Sequence, residues 1–309
     1  MKNRRHIMNQ KSDKMAKKQA PARLQLTNPD KILYPAVGIS KLDLLNYYYQ
    51  IEKWILPYIL KRPLTVVRCP EGQQEKCFYQ RHFNQIDVEN VYSIMLQDKT
   101  AKPAPYIYIK DKLGLMALIQ LSVLEIHPWG SRIDHIEKPD LITFDLDPGV
   151  DVEWKKVIEV AYIVKESLEQ MRLLSFVKTT GSKGLHVVVP IKRQYSWDQV
   201  KVFAHTLAAH LALRHPALIV ANMNKSKRKG KIFIDYLRNQ RGASSIAAYS
   251  TRIRENASVA TPLAWEELSI RIKSDTFTVK NLPRRLVRLK QDPWSDFLNL
   301  KQKLRLPVI

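Results

Sequence analysis

The stretch Leu141–Gly149, LITFDLDPG, restricts the possible folds more than any other part of this chain. Ile142, Phe144 and Leu146 alternate with Thr143, Asp145 and Asp147. That period of two marks a β-strand with one apolar face. Asp145 and Asp147 then stand together on the opposite face. Pro148-Gly149 turns the chain. Neighbouring carboxylates repel each other unless something positive lies between them. A divalent cation with oxygen ligands, Mg²⁺ or Mn²⁺, is the usual remedy. The bland alternative has one Asp capping the turn and the other solvated. The pair's place at the end of an otherwise buried strand favours chemistry.

The charge balance of the whole chain points to a polyanionic partner. Lys plus Arg is 51 against 29 Asp plus Glu, a net charge of +22. This exceeds what solvation needs and suggests nucleic acid first and an anionic membrane surface second. No apolar run reaches the roughly 18 residues of a membrane span. The N-terminus is basic but has no apolar stretch of a secretory signal. Cys69 and Cys77 are able to pair, yet nothing else suggests an oxidising compartment, so reduced thiols in an intracellular protein are expected. The 309 residues allow a sizeable core and, at roughly 150 residues per domain, about two domains.

Residues 1–23 carry eight basic residues against the single acid Asp13 and are expected to be a disordered basic arm, either a DNA-binding arm or a solubilising tail. After a turn-rich segment, Ser40 reads as an N-cap with Asp43 in the first helical turn, and Pro57 should end or kink that helix. Lys41 at the helix start and Lys31 in the preceding loop form a plausible phosphate cradle. Strands are expected at 64–68, 77–82, 91–97 and 105–110. Phe78 and Tyr79 would face opposite sides, one packing in the core and one free to stack on a base. An apolar helix is expected over Leu113–Leu124, ending beside His127. Helices follow at Trp154–Leu174 and from Ser196 to about Arg214. Between them Thr179–His186, TTGSKGLH, combines hydroxyls, glycines and a lysine in a tight turn suited to phosphate oxygens. It is not a Walker A loop, because a strand follows it rather than a helix. A basic run, Lys225–Lys231, leads into a short strand carrying Asp235. Further expectations are a strand with Arg252 and Arg254, a helix capped by Thr261-Pro262, a strand at 276–279 and a terminal helix within 282–306.

Three strand carboxylates can hold two divalent ions roughly 3.5–4 Å apart, stabilising the attacking and leaving oxygens of an in-line displacement. The Lys–His loop and the arginines would neutralise a triphosphate. Together these are the parts of a nucleotidyl transferase. In order along the chain stand TNPDKILYP, RPLTVVRCPEG, FYQRH, EIHPW, TFDLDPG, KTTGSKGLHVVVP, KIFIDYLRN, AAYSTR and TPLAWEEL. In that order and spacing they resemble the polymerase domain of bacterial ligase D, within the archaeo-eukaryotic primase superfamily used in non-homologous end joining. The similarity runs from about Leu24 to about Leu300.

The resemblance implies an α+β fold with two mixed or antiparallel β-sheets flanked by helices and the active site between the sheets, in a single catalytic domain over 24–309. It implies that Asp145, Asp147 and Asp235 bind two ions, Mn²⁺ or Mg²⁺, and that His127 is the active-site histidine. Thr180, Ser182, Lys183 and His186 would bind the nucleoside triphosphate with Arg238 and Arg252. A basic position before the third acid falls on Arg228 or Lys229. Asn28, Lys31 and Lys41 match the pocket for the 5′-phosphate of a downstream strand, and Phe78 and Tyr79 lie beside the template. The implied activity is templated gap filling and end extension, favouring ribonucleotides, on gapped or broken duplex DNA in the bacterial cytoplasm near the nucleoid, with Ku and a separate DNA ligase as candidate partners. Two other readings remain: a DNA-end-binding module with little catalysis, and a primase that needs no primer.

Overall fold

The computed structural model describes residues 26–82, 88–97 and 102–304. The basic segment 1–23, with both readings of it, lies outside them. A hairpin of β1 (Ile32–Tyr34) and β2 (Ile39–Ser40) leads into helices α1 (Lys41–Gln50) and α2 (Glu52–Ile59). Ser40 caps α1 as expected: its Oγ accepts from Asp43 N at 3.1 Å, and Asp43 Oδ2 accepts from Ser40 N at 2.9 Å. The chain breaks at Ile51 and Pro57 lies inside α2, so the single expected helix is two.

Next come β3 (Leu64–Arg68), β4 (Phe78–Gln80), β5 (Val91–Gln97), β6 (Pro103–Ile109), α3 (Lys112–Gln120) and β7 (Val123–Pro128). Asp111 caps α3 through the amides of Leu113 and Gly114. The expected helix over 113–124 stops early because Ser122 takes the left-handed conformation, φ 56°. His127 therefore sits on a strand, not at a helix end. β7 pairs with one edge of β3; β4 and β6 pair with β3 as well, and β5 pairs with β6, all antiparallel.

The remaining elements are β8 (Leu141–Pro148), α4 (Trp154–Gln170), β9 (Phe176–Thr179), β10 (Leu185–Pro190), α5 (Trp197–Arg214), β11 (Ile219–Val220), β12 (Ile232–Asp235), β13 (Pro262–Leu263) and α6 (Leu282–Arg288). They build a six-stranded sheet in the order β11-β12-β8-β10-β9-β13, antiparallel except for β11 and β12. Ile142, Phe144 and Leu146 pack with Val157, Ala161 and Val164 of α4 and Val200 and Leu207 of α5 in one core. The helices thus cover one face of this sheet, and the carboxylates of β8 point from the other. A second core joins α1, α2 and α3 to β3 and β7.

Several local expectations change. Pro262-Leu263 is an edge strand, where a residue without an N–H costs no ladder bond, and only a short 3-10 turn, Trp265–Glu267, follows it. Residues 247–254 are irregular, with Tyr249 at φ 68°. Three tyrosine hydroxyls hold that segment: Tyr47 donates to Tyr249 O at 2.9 Å, Tyr34 donates to Arg252 O at 3.1 Å, and Tyr48 bonds Thr251 Oγ1 at 2.9 Å. Cys69 and Cys77 are joined in a disulfide, which corrects the expectation of two reduced thiols. They sit at the facing ends of paired strands, with Cα atoms 4.4 Å apart.

Candidate active site

Cross-strand register gathers the site. Asp235 lies opposite Asp145, Asp145 opposite His186, and His186 opposite Lys178. Directly paired residues share a face, so these four form one row across the sheet. Arg238 Nε stands 3.2 Å from Asp145 Oδ2 and 3.3 Å from Asp235 Oδ2. His186 Nε2 lies 3.3 Å from Asp145 Oδ1. Of the two basic residues before the third acid, Arg228 is the one that reaches the carboxylates: its Nη1 lies 3.3 Å from Asp147 Oδ2, and its guanidinium rests 3.9 Å over the Phe233 ring.

The charge states follow from burial and neighbours. Burial works against ionising Asp145, but His186 and Arg238 outweigh it and hold its carboxyl well below the usual range. Asp147 is pushed up by burial and by Asp145, and Asp235 by burial, with Asp145 adding to it against Arg238. His186 is lowered to about 4 by burial and by Lys178, so it is neutral at pH 7 and donates from Nε2. Lys178, also buried, is lowered to about 7 by burial and by Arg252.

The charge of Asp145 raises the protonation of Asp147 and Asp235, and three carboxylates so placed suit a hard divalent ion, whose charge would relieve that repulsion. In the structure arginines supply the positive charge. Among the described residues no three His, Cys, Asp or Glu side chains are already drawn around one point as a metal cage.

Beside the row, the 179–184 turn is braced from within. Thr180 Oγ1 bonds Gly184 O at 3.0 Å and receives the amides of Ser182 at 3.3 Å and Gly184 at 3.2 Å. Its hydroxyl is therefore spent on the loop. Ser182 Oγ instead meets the guanidinium of Arg254. Gly184 admits no side chain, because a Cβ there would lie 2.0 Å from Leu146 O. Lys183 stands exposed at the edge of the cavity.

The second sheet supplies the opposite wall. Thr65, Tyr79, Arg81 and His127 face Asp145, Asp147, Asp235 and the phosphate-type loop across a cavity of about 690 Å³. The ring of Tyr79 lies 6.2 Å from that of His127. Phe78 points to the other face, 5.6 Å beneath the Arg68 guanidinium. Phe78 is 39% exposed and Tyr79 70%, so neither is the core residue expected of one of them.

The sequence reading missed Glu125. It is 4% exposed. Its Oε2 accepts from His127 Nε2 at 2.8 Å, and its Oε1 accepts from Arg252 Nε at 2.9 Å and Ile253 N at 2.8 Å. Arg252 in turn donates from Nη1 to Thr180 O at 3.0 Å. Burial opposes ionisation of Glu125, but the His127 bond and the Arg252 charge outweigh it and bring it to about 2. A lowered carboxyl stabilises the fold above its unfolded value and loses that contribution as pH falls through the folded one. Glu125 should thus contribute up to about 3 kcal/mol, fully present above the ordinary 4.5 and lost between 4.5 and about 2. Urea unfolding of the wild type and Glu125→Gln across that range tests this: the gap between them should close as the pH falls. A signal for Glu125 was present, since alternate residues of a strand share a face and Glu125 precedes His127 by two.

Lys31 and Lys41 are brought together, but away from the cavity lining. Lys41 is 4% exposed and donates to Thr27 O at 2.9 Å. Burial and the Lys31 charge lower its pKa. Lys31 pairs with Glu71 at 2.6 Å, and Asn28 accepts through its carbonyl from Lys31 N at 3.1 Å.

A cationic cavity between two sheets, with carboxylates on one wall and a hydroxyl–glycine–lysine turn beside them, defines the class of polyphosphate-handling nucleotidyl transferases. The LigD primase-polymerase domain family matches residues 40–294, and the chain belongs to that family. The multifunctional non-homologous end joining protein LigD of Pseudomonas aeruginosa is 33% identical over 292 residues, covering 94% of this chain and 34% of that protein. LigD of Mycolicibacterium smegmatis is 34% identical over 80% of this chain and 32% of its own length. The chain thus spans about a third of the length of these relatives. Among solved structures, the polymerase domain of Mycobacterium tuberculosis ligase D in complex with DNA matches with a TM-score of 0.85 and 30% identity, covering 91% of this chain and 99% of that one. The domain is a DNA-directed nucleotidyltransferase, a class that uses a divalent metal and nucleoside triphosphates. No helix among the described residues is long and apolar enough to cross a membrane.

Proposed function

We propose that residues 24–309 act as one catalytic domain that fills gaps and extends ends in bacterial non-homologous end joining, favouring ribonucleotides. The observation that carries this is the single cavity that brings Asp145, Asp147 and Asp235 against Lys183, Arg252 and His127. Asp145, Asp147 and Asp235 would hold two ions, Mn²⁺ or Mg²⁺, and the chemistry those ions would supply is stabilisation of charge on the attacking and leaving oxygens. Lys183, Arg252 and the backbone of the 180–184 loop neutralise the triphosphate, with Ser182 and His186 beside it. Arg238 leaves its carboxylates to meet the incoming nucleotide. Tyr79 offers a ring at the cavity wall on which a template base stacks. Asn28, Lys31 and Lys41 take the 5′-phosphate of the downstream strand, for which Lys31 exchanges Glu71. The setting is the bacterial cytoplasm near the nucleoid, with Ku and a separate ligase as partners.

The test is extension of a primer across a short gap bearing a 5′-phosphate, with each metal and with ribo- or deoxynucleotides. Tight binding without extension under any condition would favour the end-binding reading, to which the arginine-occupied carboxylates lend some support. Initiation on an unprimed strand would favour a primase. Affinity for gapped DNA should fall by on the order of 10³-fold or more between about 50 and 200 mM salt, as phosphate contacts release counterions. A flat response in a salt titration contradicts extensive phosphate contact.

A further inference from the structure

Glu125 poses a question that the proposed chemistry leaves open: what protonation state does His127 present to a substrate? Glu125 is ionised at neutral pH and has only acceptors, so the 2.8 Å contact requires His127 Nε2 to carry the proton. Burial, with the Arg252 and Arg238 charges, outweighs Glu125 and lowers the affinity of the ring for a second proton. Nδ1 makes no hydrogen bond among the described residues. It is also not one of the buried polar atoms left without a partner, so it opens onto the cavity that the ring lines. The free protein therefore shows a lone pair to a cavity built for phosphate. A lone pair and a phosphate oxygen repel.

We propose that Glu125 is a positioning residue which holds His127 so that binding of a polyphosphate draws one proton onto Nδ1, turning a neutral acceptor into a cationic donor. The proton comes from solvent and no covalent bond changes. This rests on the reading of the cavity as a nucleotide site.

The charges around the ring fit. Glu125 lies behind it on the same strand, Arg252 beside it, Arg238 across the cavity, and the Tyr79 ring at its edge. Before binding, the two arginines oppose a third positive charge. A triphosphate cancels their repulsion, and Glu125 stabilises the imidazolium from the far side, as the buried carboxylate does in a Ser-His-Asp triad. Glu125 also holds Arg252, so the ring and the guanidinium reach the same ligand in fixed relation.

Two measurements test this without catalysis. Nitrogen-15 spectra of the histidine rings should show His127 of the free protein as a neutral Nε2–H tautomer. Addition of a nucleoside triphosphate with EDTA, or of inorganic tripolyphosphate, should protonate both ring nitrogens. Calorimetry near pH 7 in buffers of different ionisation enthalpy should show wild type taking up close to one more proton than Glu125→Gln. By linkage the variant should bind the triphosphate on the order of tenfold more weakly. A wild-type ring found as the Nδ1–H tautomer, or one that stays neutral with bound polyphosphate, overturns the proposal while the nucleotide site stands. If neither polyanion binds, both fall. Should Glu125→Gln fold poorly, the wild-type spectra decide alone.

Discussion

Asp145→Asn protein is expected to add nucleotides at least about 10³-fold more slowly than wild type while remaining folded. Asp145 is the central member of the row, touching His186 on one side and Arg238 on the other. It is the carboxylate held most firmly ionised, whereas Asp147 and Asp235 are pushed towards protonation. The asparagine keeps the shape and removes the charge. Arg238 retains Asp235 at 3.3 Å, so the loop after β12 keeps an anchor. Gapped-primer extension beside thermal unfolding separates the two effects. A variant that extends at the wild-type rate would remove Asp145 from the mechanism.

The largest loss of stability is expected far from the chemistry, in Asp140→Ala. Arg62 is 2% exposed and grips Asp140 with two bonds, 2.6 and 2.7 Å. Arg132 reaches the same carboxylate at 3.4 Å. Arg62 Nε is already buried without a partner. Removing the acid leaves two arginines facing each other, one of them out of water. Breaking such a pair from one side costs roughly 3–5 kcal/mol, because the surviving charge keeps its desolvation penalty. Denaturant unfolding should show that loss, and Arg62→Met combined with Asp140→Leu should recover much of it. A cost under about 1 kcal/mol would mean that water reaches Arg62.

Local signals in the sequence were legible where neighbours along the chain decide the outcome. Alternation around Phe144 placed Asp145 and Asp147 on one face, and Ser40 and Ser196 announced their helices through capping boxes. The meeting of Asp235 with Asp145 required the resemblance, because 90 residues separate them and register alone joins them. The apolar run after Leu113 misled, since a helix and a buried strand share it and the left-handed turn at Ser122 leaves no clear mark. Pro262 looked like a helix start because proline is welcome there and at a sheet edge alike. The two-residue spacing of Glu125 and His127 was a legible hint, but the bond from Arg252 to Glu125 was not, because 127 residues separate that pair.

The tyrosines that hold residues 249–252 have a mechanical consequence. Tyr47 and Tyr48 stand on α1, the helix that Lys41 begins, and their hydroxyls reach the segment that ends in Arg252. The helix that begins at Lys41 is thus tied by side-chain hydrogen bonds to the segment that carries Arg252 beside the cavity. Trimming Tyr47 or Tyr48 to phenylalanine would remove one hydroxyl tether between α1 and residues 249–252 while leaving the lysine pair and Arg252 chemically intact.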